Sequence, residues 1–219
     1  VPDAAPPAAA PTVPGDARGR AATRRALLDA AYGQFLETGY LRTTIGAVTA
    51  RAGYTRGAFY SSFRSKEELV GALYRSANAH QVARLRHAVL GEVERTRGEV
   101  PAADAVPAAL AGLAGSVGAE ARWFGVVTEL RGAAVHDAAA RRVLLDAQED
   151  LLAGLATLLD DVLARTGSRL DLPTRDVVAV GVGLYERAFT VDEPDAAETA
   201  AAVRAATETF AGVLRAVTR

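Results

Sequence analysis

Between Thr38 and Lys66 the chain is cut into pieces too short to fold alone. Gly39-Tyr40, Gly53-Tyr54 and Phe63-Arg64 interrupt it, and hydroxyl residues suited to capping a helix stand at Thr43-Thr44, Thr55 and Ser65. Each stretch between these breaks is a helix of two turns or less, and isolated helices below ~12–15 residues are marginal in water. Such pieces survive only by packing on one another and on longer neighbours. Two short helices joined by a glycine-containing turn form the helix-turn-helix pattern. A second helix this short fits the major groove, with its first residues toward base edges and its exposed amides and hydroxyls toward phosphate.

The flanking sequence supplies the longer neighbours. A first helix is expected from about Arg20 to Thr38, with Leu27 or Leu28, Ala31 and Phe35 on one stripe and Gly39 as its left-handed cap. The pair follows: Thr43 to Ala52, ended by Gly53, then Arg56 to about Ser62, capped by Thr55. Ser65-Lys66-Glu67-Glu68 reads as a capping box in which Ser65 caps and Glu68 reaches back to it. That opens a long helix to about Arg95. Seven of the thirteen aromatics (Tyr32, Phe35, Tyr40, Tyr54, Phe59, Tyr60 and Phe63) fall in this segment, which has little interior otherwise.

Charge separates the same segment from the rest. The formal net charge is −1, but Arg18–Lys66 holds nine basic residues against Asp29 and Glu37, a local +7. The first seventeen residues carry −2 through Asp3 and Asp16, so residues 67–219 carry −6. A basic head on an acidic body points to a polyanion at one end only. The arginine excess (24 arginines against the single Lys66, beside 49 alanines) is what a GC-rich coding genome would produce, so most of it needs no functional reading.

Thr23-Arg24-Arg25-Ala26-Leu27-Leu28-Asp29-Ala30-Ala31, Gly39-Tyr40, Thr43-Thr44-Ile45, Val48, Ala52-Gly53-Tyr54-Thr55, Gly57, Tyr60, Phe63 and Lys66-Glu67-Glu68-Leu69 resemble the N-terminal domain of the TetR (tetracycline-repressor) family over about residues 20–72. The resemblance implies an all-helical homodimer that binds an operator and carries a helical ligand-binding domain. It implies that Thr43, Thr44 and Lys66 contact phosphate, and that Thr55, Arg56, Gly57 and Tyr60 form the surface of the reading helix; Tyr54, in the turn before it, is a further DNA-facing candidate. Gly46 and Ala47 depart from the pattern, standing where polar or charged residues are usual; Thr49 stands where alanine is usual and Tyr54 where a small aliphatic residue is.

The expected organisation is all-α with about nine helices. A Pro/Ala tail spans 1–17 and holds five of the nine prolines, the helix-turn-helix domain spans 18–66, and an effector-binding and dimerisation domain spans 67–219. Further helices are expected at Ala119–Val135, Ala138–Arg165, Thr174–Val191 and Asp195–Val217. Residues 101–118, with Pro107 and three glycines, form the weakest helical stretch. The last two helices mix small and large residues (Val177, Val178, Val180, Gly181, Leu184 and Phe189 with Ala201, Ala202, Ala205, Phe210, Val213 and Leu214) and are expected to form the homodimer surface. An effector pocket is expected around Trp123, Phe124 and Val127, with Tyr74, His80, Glu120, Tyr185 and Phe189, and with Glu129 and Arg131 as further wall candidates.

Other classes find little footing. The absence of cysteine removes disulfides, thiolate metal sites and cysteine nucleophiles. His80 and His87 share a helix face without further metal ligands, and the adjacent Asp160-Asp161 and Glu149-Asp150 point ~100° apart. No metal, no cofactor and no enzymatic activity are therefore expected. With no membrane-length apolar run and no leader-like N-terminus, the chain is expected to be soluble and cytoplasmic. The expected function is a ligand-responsive transcriptional regulator, a repressor on a palindromic operator released by a small hydrophobic effector. A constitutive DNA binder without effector and a helical enzyme or carrier with an incidental basic head are the alternatives.

Overall fold

The computed structural model describes residues 14–113, 117–189 and 196–219, and these fold as nine helices. They are α1 (Pro14–Thr38), α2 (Ile45–Ala52), α3 (Arg56–Tyr60), α4 (Lys66–Arg95), α5 (Ala102–Leu113), α6 (Val117–Ala134), α7 (Ala138–Thr166), α8 (Thr174–Arg187) and α9 (Ala196–Val217). The Pro/Ala tail through residue 13 lies outside the described residues. Its last four positions are a correction, because α1 already begins at Pro14, where proline is tolerated at a helix start.

The caps explain the short helices. The Thr44 hydroxyl accepts from Ala47 N, and Gly53 closes α2 in the left-handed region at φ 72°. The Thr55 hydroxyl accepts from Ala58 N at the start of α3. At α4 the Ser65 hydroxyl accepts from Glu68 N at 3.2 Å. The Glu68 carboxylate bonds the Arg64 N–H at 2.8 Å rather than that of Ser65, one residue further back than the expected box.

Packing supplies what these lengths lack. Leu27, Ala31 and Phe35 on α1, Val48 on α2, Phe59 on α3 and Phe63 after it meet Leu69, Val70 and Leu73 of α4 in one buried cluster. Burial of each large side chain contributes ~1.5–3 kcal/mol. The same cluster includes Trp123, Val126, Val127 and Leu130 of α6 and Ala140 and Ala147 of α7. A second cluster joins the distal half of α4 (Val89, Val93) to α5, α7 (Leu158, Leu159, Val162), α8 (Val177, Val178) and Leu214 of α9. Despite Pro107, α5 is continuous, because buried Ala102, Ala105, Val106 and Ala109 combine high propensity with tertiary packing.

Two details escape the sequence. The end of the chain turns back on the α7–α8 connection, with Arg169 and Arg219 exchanging backbone hydrogen bonds at 2.9 and 2.8 Å around a Leu170–Thr218 bridge. The acidic pairs of α7 join helices together: Asp161 pairs with Arg86 at 2.7 Å, Asp160 accepts from the Thr174 hydroxyl, and Glu149 pairs with Arg175.

Candidate functional site

α3 divides its residues between two environments. Phe59 is fully buried with its ring tilted against that of Phe63, whereas Tyr60 is 58% exposed. Thr55, Arg56 and Gly57 are exposed with it, and Tyr54 is 38% exposed in the preceding turn. The side chain of Arg56 lies back across the start of α2. A Cβ placed on Gly46 would come 3.2 Å from its Nη2, so the departure at Gly46 leaves room for the guanidinium. Thr49, the neighbouring departure, is buried and returns its hydroxyl to Gly46 O at 3.1 Å.

Of the expected phosphate contacts, Thr44 is exposed at the mouth of α2. Thr43 is a correction. It is 2% exposed, and its hydroxyl donates to Gly39 O at 2.7 Å and pairs with that of Thr38 at 2.9 Å. Its place is inside the α1–α2 turn because the turn's carbonyls need a donor there. Lys66 is half-buried. Its ammonium donates to Tyr40 O at 3.0 Å and Thr43 O at 3.2 Å and lies 4.2 Å from the centre of the Tyr40 ring. Burial draws the Lys66 pKa below its ordinary value, against the pull of Glu67 and Glu129. Arg24, which carried no assigned role, bonds Ser62 O at 2.8 Å and sits 4.1 Å over Phe63, tying α1 to the end of the reading unit.

The opposite face of the same turn is gripped from α6. Glu129 Oε2 accepts the Leu41 N–H at 2.8 Å. Gly39, at φ 80°, admits this approach, since a Cβ there would lie 2.3 Å from Glu129 Oε1. Glu129 is therefore not a cavity-wall residue but a contact to the basic head.

A cavity of about 190 Å³, open to solvent on one side, is enclosed by α4 to α9. Tyr74, Trp123, Phe124, Val127 and Tyr185 line it, facing aliphatic side chains such as Leu155, Leu159 and Val178. Polar groups enter mainly from one stripe of α4, where Asn78 and Gln81 follow Tyr74; Asn78 is fixed by donating to Ala147 O at 2.8 Å. The remaining candidates fall elsewhere. His80 is a correction, because it is exposed on the outer face of α4. Phe189 stands behind the wall, stacked on Phe124 with centroids 4.2 Å apart. Arg131 pairs with Glu186, itself a lining residue, so the two charges largely cancel. The side chain of Glu120 lies outside the described residues. Trp123 touches both regions, its ring 5.6 Å from that of Tyr32 on α1 and 6.2 Å from that of Tyr74.

The expected pairing surface is partly corrected. Val177 and Val178 are 1% and 6% exposed, Leu214 is fully buried, and a Cβ on Gly181 would come 2.9 Å from the Phe210 ring. These residues join α8 to its own neighbours, α9 included. Ala179, Val180, Gly183, Ala201, Ala205, Gly212 and Ala216 remain exposed on the outer side of the pair. Among the described residues no cluster of three metal-ligating side chains occurs, and no helix is long and apolar enough to cross a membrane.

The family described as "Bacterial regulatory proteins, tetR family" matches residues 27–73. The regulator TtgR of Pseudomonas putida is 45% identical over 51 residues, which are 23% of this chain and 24% of that protein, so the chain spans about a quarter of this relative's length. Likeness in fold extends much further. FadR of Bacillus subtilis, solved with stearoyl-CoA, superposes with a TM-score of 0.64 at 16% identity, over 85% of this chain and 97% of that one. SmeT, the repressor of the Stenotrophomonas maltophilia multidrug efflux pump SmeDEF, gives 0.61 at 19% identity, over 90% of each chain. Residues 27–73 thus match the tetR family of bacterial regulatory proteins, and the described helices as a whole share the fold of these solved structures.

Proposed function

We propose that this protein is a cytoplasmic transcriptional repressor. It binds a palindromic operator as a homodimer and leaves it when a small hydrophobic molecule fills the α4–α9 cavity. The observation that carries the reading is the pairing, in one chain, of an exposed α3 surface (Thr55, Arg56, Gly57, Tyr60) with an apolar cavity whose walls share a core with that head. Thr44 and Lys66 contribute backbone-phosphate contacts, with Tyr54 beside them. The outer faces of α8 and α9 meet their copies in the partner and set the spacing of the two heads. Half-sites one turn of DNA apart require heads ~34–36 Å apart. A small change in that spacing loses the second half-site, and a coupling of ~1–3 kcal/mol is enough for induction.

The names of the similar proteins support the reading at the level of class: a transcriptional regulator, a repressor and a protein solved with an acyl thioester. A constitutive binder would have no use for an apolar cavity lined by aromatic side chains.

The test is a mobility shift with duplex taken from immediately upstream of the gene, at several salt concentrations and with a panel of apolar compounds. The expected result is sequence-selective binding whose log affinity falls by about 0.9 per phosphate contacted for each tenfold rise in salt. At least one compound should weaken that binding. Failure to bind any genomic duplex at low salt would sink the reading.

A further inference from the structure

The turn from Gly39 to Thr44 joins α1 to the reading pair, and opposite charges hold it from two sides. On one side Lys66 of α4 donates to the carbonyls of Tyr40 and Thr43. On the other, Glu129 of α6 accepts the Leu41 N–H, a contact between residues 88 positions apart. Gly39 takes a positive φ, and its missing side chain leaves the space in which that carboxylate seats. Because Thr44 caps α2, the turn also fixes where α2 and α3 begin.

α6 carries more than this contact. Trp123, Phe124 and Val127 on the same helix line the cavity. From Phe124 to Glu129 is five residues, a rise of ~7.5 Å along a helix. A molecule that shifts or rolls α6 from within the cavity displaces a carboxylate seated at 2.8 Å, and a hydrogen bond weakens steeply with misalignment. α4 and α6 both reach the head's core, α4 through Leu69, Val70 and Leu73 and α6 through Trp123, Val126, Val127 and Leu130, but Glu129 adds a polar contact to the turn's backbone from the α6 side.

We propose that Glu129 is the positioning residue through which cavity occupancy reaches the reading head: its bond to Leu41 is made when the cavity is empty and weakened when it is filled. This rests on the regulator reading above and names the contact by which it operates.

The test uses the full chain with N-phenyl-1-naphthylamine as an apolar probe. Quenching of Trp123, the single tryptophan, reports occupancy. Hydrogen exchange at the Leu41 amide reports the latch, and affinity for a duplex selected by the native protein reports the output. In the native chain, saturating probe is expected to speed Leu41 exchange at least fivefold and to weaken duplex binding. In Glu129→Ala the probe still enters, Leu41 exchanges fast from the start, and the probe changes duplex affinity less than twofold. Glu129→Gln, which keeps an acceptor of the same length, recovers at least half of the native response; a purely structural role would not give that graded recovery.

Leu41 exchange that ignores the probe in the native chain overturns the proposal, whether or not Glu129→Ala folds. So does a full native response in Glu129→Ala, or failure of the probe to enter. If the native chain binds no duplex, the regulator reading falls, and Leu41 exchange with probe alone still decides the latch.

Discussion

Lys66 gives hydrogen bonds to the carbonyl of Tyr40, at 3.0 Å, and of Thr43 while lying against the Tyr40 ring. The residue that resemblance assigns to phosphate is thus also a staple inside the head, and the two roles separate experimentally. Lys66→Ala is expected to cost ~1–2 kcal/mol in chemical denaturation, since it deprives two carbonyls of a charged donor at a half-buried site. If the ammonium's remaining proton meets phosphate, the salt dependence of duplex binding loses about one phosphate's worth of slope. That is the expected result, read from mobility shifts at several ionic strengths.

Arg56 rests across Gly46 at the start of α2. On the proposed reading it turns outward from this position to meet a base. Arg56→Ala is expected to weaken operator binding by ~1–3 kcal/mol and to relax preference at a single base position. A selection from randomised duplexes checks it; an equal loss on all sequences would make Arg56 a phosphate contact.

Phe59 is fully buried on a helix of only five residues. Phe59→Ala is expected to destabilise the protein by ~3–5 kcal/mol. Because α3 has no other fully buried side chain, DNA binding should be lost at temperatures where far-ultraviolet circular dichroism still reports most of the helix.

Burial, together with the nearby Glu67 carboxylate and the hydrogen bond to it, raises the Tyr40 pKa well above its ordinary value near 10. Above pH ~10 the unfolded chain loses this proton while the folded one keeps it, so the folded state binds more protons and stability falls as pH rises. Tyr40→Phe removes that contribution. The native-minus-variant difference in unfolding free energy is expected to shrink by up to ~1.4 kcal/mol per pH unit above pH 10, measured by urea titration at a series of alkaline pH values.

Much of this was legible because the head is written in local signals. Ser65 and the residues after it place the start of α4, Gly53 and Thr55 bracket the turn, and the stripe Leu27-Ala31-Phe35 faces inward as its spacing requires. What escaped depends on contacts remote in sequence. Thr43 reads as an exposed cap, but the carbonyl of Gly39 and the hydroxyl of Thr38 claim it. Tyr74 and His80 both sit on α4, yet six residues, ~600° of helical turn, put His80 on the far face. Glu129 looked like one more wall residue beside Trp123 because nothing near it in sequence names Leu41 as its partner. The small residues of α8 and α9 suggested close approach to a second copy. At Gly181 that closeness is used up by Phe210 within the chain.

The cluster that holds α1, α2 and α3 together also takes in Trp123 and Leu130 of α6 and Ala140 and Ala147 of α7. A fragment cut after α4 would leave the flank of Phe35 and Leu73 without those partners and open to water. The head is therefore no portable cassette for grafting onto foreign sensors. Swaps between relatives have to carry the matching stretch of α6, and calorimetry of the intact chain should give one endotherm in which reader and sensor melt together.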